Sequence, residues 1–289
     1  MVTWSLVLGV MALGALIVAV WFGMRPKTGQ NAVAAGGDTG KWMLEKRVES
    51  RFESPSEEAA LDMVKRGLAI REPATVEEFF HPGSASPEEV VDFLSKIDSV
   101  DGRADGFTWL SSMDANGLLI DGVLVRTILD GKVRSRMAFL TPDEQGKWKI
   151  DFNAFARTVE PSWSELLEKG AAEGTVRVIV AKDTYYNGPF GDDRQWACYG
   201  MVSPDAEVMM LGYCRKDSPQ ARAMERIVMD ENGLPGGMPS ALPGAAKATK
   251  RATLVIRRVE GAEARQFEIT RVLAQDWVVS DTPFDGNFK

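Results

Sequence analysis

An α+β fold is predicted by three observations. Hydroxyl-headed helix starts cluster ahead of the first strands; runs of strand character joined by Asn-Gly and Asp-Gly turns follow them; and a long uncharged apolar run precedes both. Helices grouped before a sequential antiparallel meander imply layers, with the helices packed on one face of a curved sheet. The predicted order is a single transmembrane helix over 1–24, a flexible linker over 25–50, an α+β domain over 51–159 and a second α+β domain over 160–289.

From Val2 to Met24 no side chain is charged, and the run stops at Arg25, Pro26 and Lys27. At about 1.5 Å per residue, roughly 20 residues cross a hydrocarbon core of about 30 Å, so this run is long enough to span one. A cleaved signal peptide is the competing reading and a buried core helix the third. A signal peptide has an apolar core of about 7–15 residues behind a basic segment. Here no Lys or Arg precedes the run, and the A-x-A-like site, Ala32-Val33-Ala34, lies beyond Lys27. The expectation is therefore a single-pass protein of the cell membrane, held there by this helix. Arg25 and Lys27, taken alone, place the body in the cytoplasm. Single N-terminal anchors more often tether a body outside, and the extracytoplasmic side is the expected one. Trp4 and Trp21 fit interfacial anchors. Ala15, Ala19 and Gly23 make a small-residue stripe, which is either a helix-pairing surface or ordinary membrane-helix composition. Residues 28–50 are rich in small residues and suit a linker.

Forty-one acidic residues against 34 basic ones give a net charge of −7. This argues against a nucleic-acid partner, which requires clustered Lys and Arg. One His and two Cys do not make a usual zinc set. Asp183, Asn187, Asp192 and Asp193 surround a Gly-Pro turn without the spacing of a calcium loop. No metal and no cofactor are expected.

In the first domain, Ser54-Pro55-Ser56-Glu57, Thr75-Val76-Glu77-Glu78 and Ser86-Pro87-Glu88-Glu89 match the capping box. Leu61, Val64 and Leu68, and then Val90, Phe93, Leu94 and Ile97, repeat at helical spacing. Strands are predicted over Phe107–Met113, Leu118–Leu129, Val133–Thr141 and Trp148–Phe152. Their joints are Asn116-Gly117, Asp130-Gly131 and Asp143–Gly146, which tolerate positive φ.

This order, closing on Gly146-Lys147-Trp148-Lys149-Ile150-Asp151, resembles the NTF2-like (cystatin-like, cone-shaped) superfamily over about residues 54–158. The resemblance implies helices on a curved sheet. It spans isomerase-like enzymes, small-molecule binders and assembly subunits, so it selects no function.

In the second domain, Ser162-Trp163-Ser164-Glu165 opens a short helix. Strands follow at Val176–Tyr186, Arg194–Val202 and Val208–Cys214, then a helix from Ser218-Pro219 and a Gly/Pro-rich loop over 233–246. Strands at Ala252–Val259, Arg265–Leu273 and Trp277–Ser280 close the chain. Gln275–Val279 matches the part played by Gly146–Asp151, which suggests a diverged second NTF2-like unit. An unrelated α+β neighbour is the alternative.

His81, the sole histidine, stands before Pro82-Gly83 and reads as a cap or surface residue, or as a base at the mouth of the cone. The resemblance nominates Asp151 as its partner, the pair being a weak catalytic candidate. Cys198 and Cys214 fall opposite each other if the hairpin turns about Ala206, a register that also opposes Tyr199 with Tyr213. Such a pair is a disulfide in an oxidising compartment and two buried thiols otherwise. Trp109, Trp148, Trp163, Trp196 and Trp277 read as core.

The expected function is a membrane-anchored, non-enzymatic protein whose body is a protein-interaction or assembly module, with a protein partner or a second copy of itself. The alternatives are a small-molecule binder, ligand unspecified, or an isomerase- or dehydratase-like enzyme using the pocket of the cone. A sealed cone with an exposed apolar sheet face favours the first; an apolar pocket without converging ionisable groups favours the second over the third.

Overall fold

Helix starts follow the local hydroxyls. The computed structural model describes residues 52–170, 172–206, 208–229 and 250–288. Helix α1 (Glu57–Leu68) begins at Ser56 rather than Ser54, the Ser56 Oγ accepting from Ala59 N at 3.2 Å. Thr75 does not cap α2 (Val76–Phe79), because its hydroxyl donates back to Glu72 O. Ser86 forms a full capping box on α3 (Pro87–Val100), its N–H held by Glu89 Oε2 at 2.7 Å.

Five strands follow the predicted meander: β1 (Phe80–His81), β2 (Arg103–Ala115), β3 (Leu118–Leu129), β4 (Lys132–Pro142) and β5 (Trp148–Asp151). They lie in the order β1-β5-β4-β3-β2, antiparallel except for the β1–β5 pair. Asn116-Gly117 and Asp130-Gly131 all adopt positive φ, the twist that a two-residue hairpin needs. On one face Val123, Val125, Ala138, Leu140 and Ile150 pack under α1–α3. On the other, Ile120, Met137 and Phe139 meet Trp277 and Val278 from the far end of the chain. The chain itself covers this face around Phe139, while its Ile128–Val133 end stays exposed.

The remaining strands do not repeat this plan. After the short helices α4 (Phe152–Ala156) and α5 (Trp163–Leu167), strands β6 (Glu173–Asp183), β7 (Trp196–Val202), β8 (Met209–Arg215), β9 (Lys250–Arg257) and β10 (Gln266–Ala274) close into a barrel in the order β10-β8-β7-β6-β9. Helix α6 (Pro219–Met229) lies between β8 and β9 in sequence, and Ala221, Met224 and Ile227 pack into the barrel core. β6 pairs with both β7 and β9. β10 carries two register shifts and pairs in parallel with β8, which closes the ring. This is the strand count and Greek-key order of an OB-type barrel. The expectation of a second curved sheet, and so of two tandem NTF2-like units, is overturned. Residues 277–280 form no strand; Trp277 instead covers the first sheet.

The expected membrane helix and the cell-membrane location are not sustained. Among the described residues no helix is long and apolar enough to cross a membrane. The span assigned to 1–24 and the linker at 25–50 lie outside the described residues.

Candidate functional site

Strands β1 and β5 set His81 level with Asp151, so the two nominated residues are indeed neighbours. Phe80 and Ile150 point under the helices, and alternation therefore turns His81 and Asp151 towards the barrel. Neither faces the helix layer, and no hydrogen bond joins them. The Asp151 Oδ1 accepts from Ala154 N at 2.8 Å and caps α4. The His81 Nε2 lies 3.3 Å from Thr141 O. Burial pushes the Asp151 carboxyl above the ordinary carboxylate range, opposed by the Ala154 N–H and by the charges of Arg177 and His81. Arg177 comes from β6. It donates Nε to Trp277 O at 3.0 Å and Nη1 to Thr158 Oγ1 at 2.7 Å.

The other end of α4 is fastened in the same way. Arg157, at φ 55°, ends the helix, donating Nη1 to Asp205 Oδ1 at 2.9 Å and Nη2 to Ser135 O at 2.7 Å. Asp205 belongs to the β7–β8 turn, and its Oδ1 also accepts from Arg136 Nη2 at 2.9 Å. Arg136 in turn holds the Asp101 carboxylate and Phe155 O. The Trp277 ring has the guanidinium carbons of Arg157 and Arg251 at 5.2 and 5.5 Å from its centroid. Charges that would suit catalysis are thus engaged in joining sheet to barrel.

The register expected for Cys198 and Cys214 is corrected. Both thiols are free. The β7–β8 register runs one residue away from the expected one, with Cys198 opposite Tyr213 and Cys214 opposite Ala197. The hairpin turns about the Asp205–Ala206 bond, where both N–H groups lie 3.3 Å from Ser203 Oγ. A one-residue slip moves a side chain to the other face. Cys214 points into the barrel with Tyr199, and Cys198 lies outside with Phe190 and Trp196. Burial raises the Cys198 thiol to about 11 and the Cys214 thiol to about 12. On the outer face of β7 and β8, where OB-type barrels take ligands, the Cys198–Tyr213 end is filled by the loop before β7, and Phe190 stacks on Tyr213 with ring centroids 4.1 Å apart.

Asp121 takes no part in joining sheet to barrel, and one of its oxygens is among the buried polar atoms without a partner, with Trp109 Nε1, Arg157 Nε, Tyr199 OH and Arg258 Nε. Asp121, fully buried, stands on β3 between Leu119 and Val123 on the helix-facing side. β2 is bulged here. Trp109 pairs with Val123 and Ser112 with Asp121, so two β2 residues oppose Gly122 alone. The bulge turns Ser112 onto the same face as Trp109. Ser112 donates to Asp121 Oδ1 and lies 3.1 Å from Ser54 Oγ. The second oxygen, Asp121 Oδ2, has no partner, and neither has the buried Trp109 Nε1. Burial raises the Asp121 carboxyl above its ordinary value, against the pull of the two serine hydroxyls.

The chain matches no known protein-family model and no curated protein.

Among the described residues no group of three or more His, Cys, Asp or Glu is placed to hold a metal ion. The Asp121 site was legible in part. Leu119, Asp121, Val123 and Val125 occupy alternate positions of an apolar strand, and a carboxylate in core phase is the signal. Trp109 gave none, because its partnering depends on a bulge that the sequence does not announce.

Proposed function

We propose that this chain binds a small molecule in the sheet unit, between the sheet and α1–α3. The observation that carries this reading is the pair of unpartnered polar atoms, Asp121 Oδ2 and Trp109 Nε1, on one face of the sheet. Nearly all buried polar groups are hydrogen-bonded, and an unmade bond costs about 1–3 kcal/mol, so a matched orphan acceptor and donor call for an occupant. A perturbed carboxylate at a buried position points the same way. The resemblance of residues 54–158 to a superfamily that includes small-molecule binders supports it as analogy.

The test is ¹H–¹⁵N spectroscopy of the full chain, with the Trp109 indole signal assigned by its loss in Trp109→Phe. A panel of small apolar compounds with polar heads should move that signal saturably for at least one member. If no compound moves it, the reading fails.

A protein-interaction role is the second reading, favoured by a separate observation. Ile128 and Val133 are a cross-strand pair exposed by 44% and 66%; Val202 and Met209 are another, exposed by 38% and 53%. Their hairpins meet where Arg157 bonds both Ser135 O and Asp205. The occupant this favours is a second copy, whose identical apolar pairs match in chemistry. Sedimentation equilibrium tests it: Val133→Asp combined with Met209→Asp should abolish self-association, and a wild-type chain that is monomeric at all concentrations removes the reading.

A further inference from the structure

Resting on the small-molecule reading, we infer that the Asp121 site selects a neutral, hydroxyl-bearing ligand with an apolar body. The two orphan atoms specify the head group. Asp121 Oδ2 requires a donor, since Oδ1 is already taken by Ser112. Trp109 Nε1 is a donor only and requires an acceptor. The register makes them diagonal neighbours on one face, because Trp109 pairs with Val123, two residues beyond Asp121. A hydroxyl donates one hydrogen bond and accepts two, and so answers both atoms at once.

The ammonium, carboxylate and ketone head groups each answer only one. An ammonium group donates to Asp121 but leaves Trp109 without an acceptor. A carboxylate accepts from Trp109 but meets the Asp121 carboxylate with like charge. A ketone accepts from Trp109 and leaves Asp121 Oδ2 unsatisfied. The ligand body is apolar for a separate reason: Leu119 and Val123 flank Asp121 on its own strand, and Phe107 shares the cluster across the sheet. A single buried water satisfies the same head-group chemistry. What separates a water from a ligand is whether the site yields to a larger molecule.

The experiment uses five probes with one ring and different heads: cyclohexanol, cyclohexanone, cyclohexylamine, cyclohexanecarboxylate and cyclohexane. Binding to the full chain is read from the Trp109 indole signal, with cyclohexanol expected to bind tightest. Asp121→Asn, which keeps the shape of the side chain, is expected to weaken cyclohexanol about tenfold through loss of a charge-assisted acceptor, while leaving cyclohexane unchanged. The folded state of the variant is checked from the dispersion of its other indole signals. Preference for the ketone or the amine overturns the hydroxyl assignment and leaves the binding reading standing. No response to any of the five probes, with a slowly exchanging water at the Trp109 N–H, means a sealed hydrated site and overturns both.

Discussion

Asp151 and Arg157 stand at opposite ends of one five-residue helix, and each faces the barrel. Asp151 caps the helix N-terminus and lies within the field of Arg177; Arg157 closes its C-terminus in the left-handed conformation and bonds Asp205. Helix α4 is thereby tied to the barrel at both ends, and Trp277 lies against the sheet between them. Sheet and barrel are bonded across their contact by charge pairs that lie mostly out of solvent.

The Asp205 contact should be worth far more than a surface ion pair. Asp205→Ala leaves Arg136 and Arg157 facing one carboxylate fewer, and Arg136 is nearly inaccessible. Breaking a buried pair costs about 3–5 kcal/mol; because Asp205 keeps 28% exposure, about 2 kcal/mol is expected. Asp62→Ala, which breaks the exposed pair with Arg66, should cost about 0.5 kcal/mol or less. Urea unfolding of the two variants measures both, and equal midpoints would show that the Asp205 contact does not hold the units together.

Trp277 should behave as a core residue although it lies in no strand. Its indole N–H reaches Val178 O at 3.3 Å, and its ring fills the face of the sheet beside Phe139. Trp277→Ala is expected to cost about 3–5 kcal/mol. Hydrogen exchange should show lost protection in β3 and β4 as well as in the barrel. Loss confined to the barrel would mean that the sheet does not depend on this cover.

Gly102 tolerates no side chain. It sits at φ +87°, and an added Cβ would lie 2.0 Å from the Ile128 carbonyl oxygen. Gly102→Ala should destabilise by more than about 1 kcal/mol, the scale of a left-handed conformation forced on an ordinary residue. A thermal midpoint equal to wild type would contradict this backbone geometry.

The two thiols should be silent in the folded chain at neutral pH. Burial holds them protonated, with values near 11 and 12, and the thiolate is the reactive species. A thiol reagent should label neither Cys198 nor Cys214 until denaturant is added, and then both, without prior reduction. A requirement for reduction would reveal a bond that the observed register forbids.

Asp121 should make stability depend on pH in the direction opposite to a salt-bridged carboxylate. Its pKa is raised above 3.8, so on acidification the folded chain takes this proton before the unfolded chain does. The cost of the buried charge is therefore full above the folded pKa and disappears as pH falls to 3.8. Asp121→Asn is expected to stabilise at pH 8 by about 1 kcal/mol, with the gain shrinking towards zero near the ordinary carboxylate value. A gain that grows on acidification would reverse the assignment.

Local chemistry was readable from sequence where it acts over a few residues. Ser86 and Ser162 head helices because the residue three positions on is Glu, and Asn116-Gly117 and Asp130-Gly131 turn because they accept positive φ. β3 was located at Leu118–Leu129 and the order β2 to β5 followed from its hairpins. His81 and Asp151 lie level on β1 and β5, while the side they face is set by the alternation of those strands and is not written in the local sequence.

What the sequence by itself determined was the α+β composition, the meander and the sites of its turns, since these depend on neighbours in the chain. The tertiary structure decided the closure of the barrel through parallel β8 and β10, the one-residue register of Cys198 and Cys214, and the roles of Asp205 and Trp277. It also decided the exposure of Asp121 and Trp109 to one shared face. Each of these depends on contacts between residues far apart in sequence, or on a bulge or turn centre that shifts alternation by one. A shift of one residue exchanges inside for outside along a strand, and no local pattern of residues carries that information.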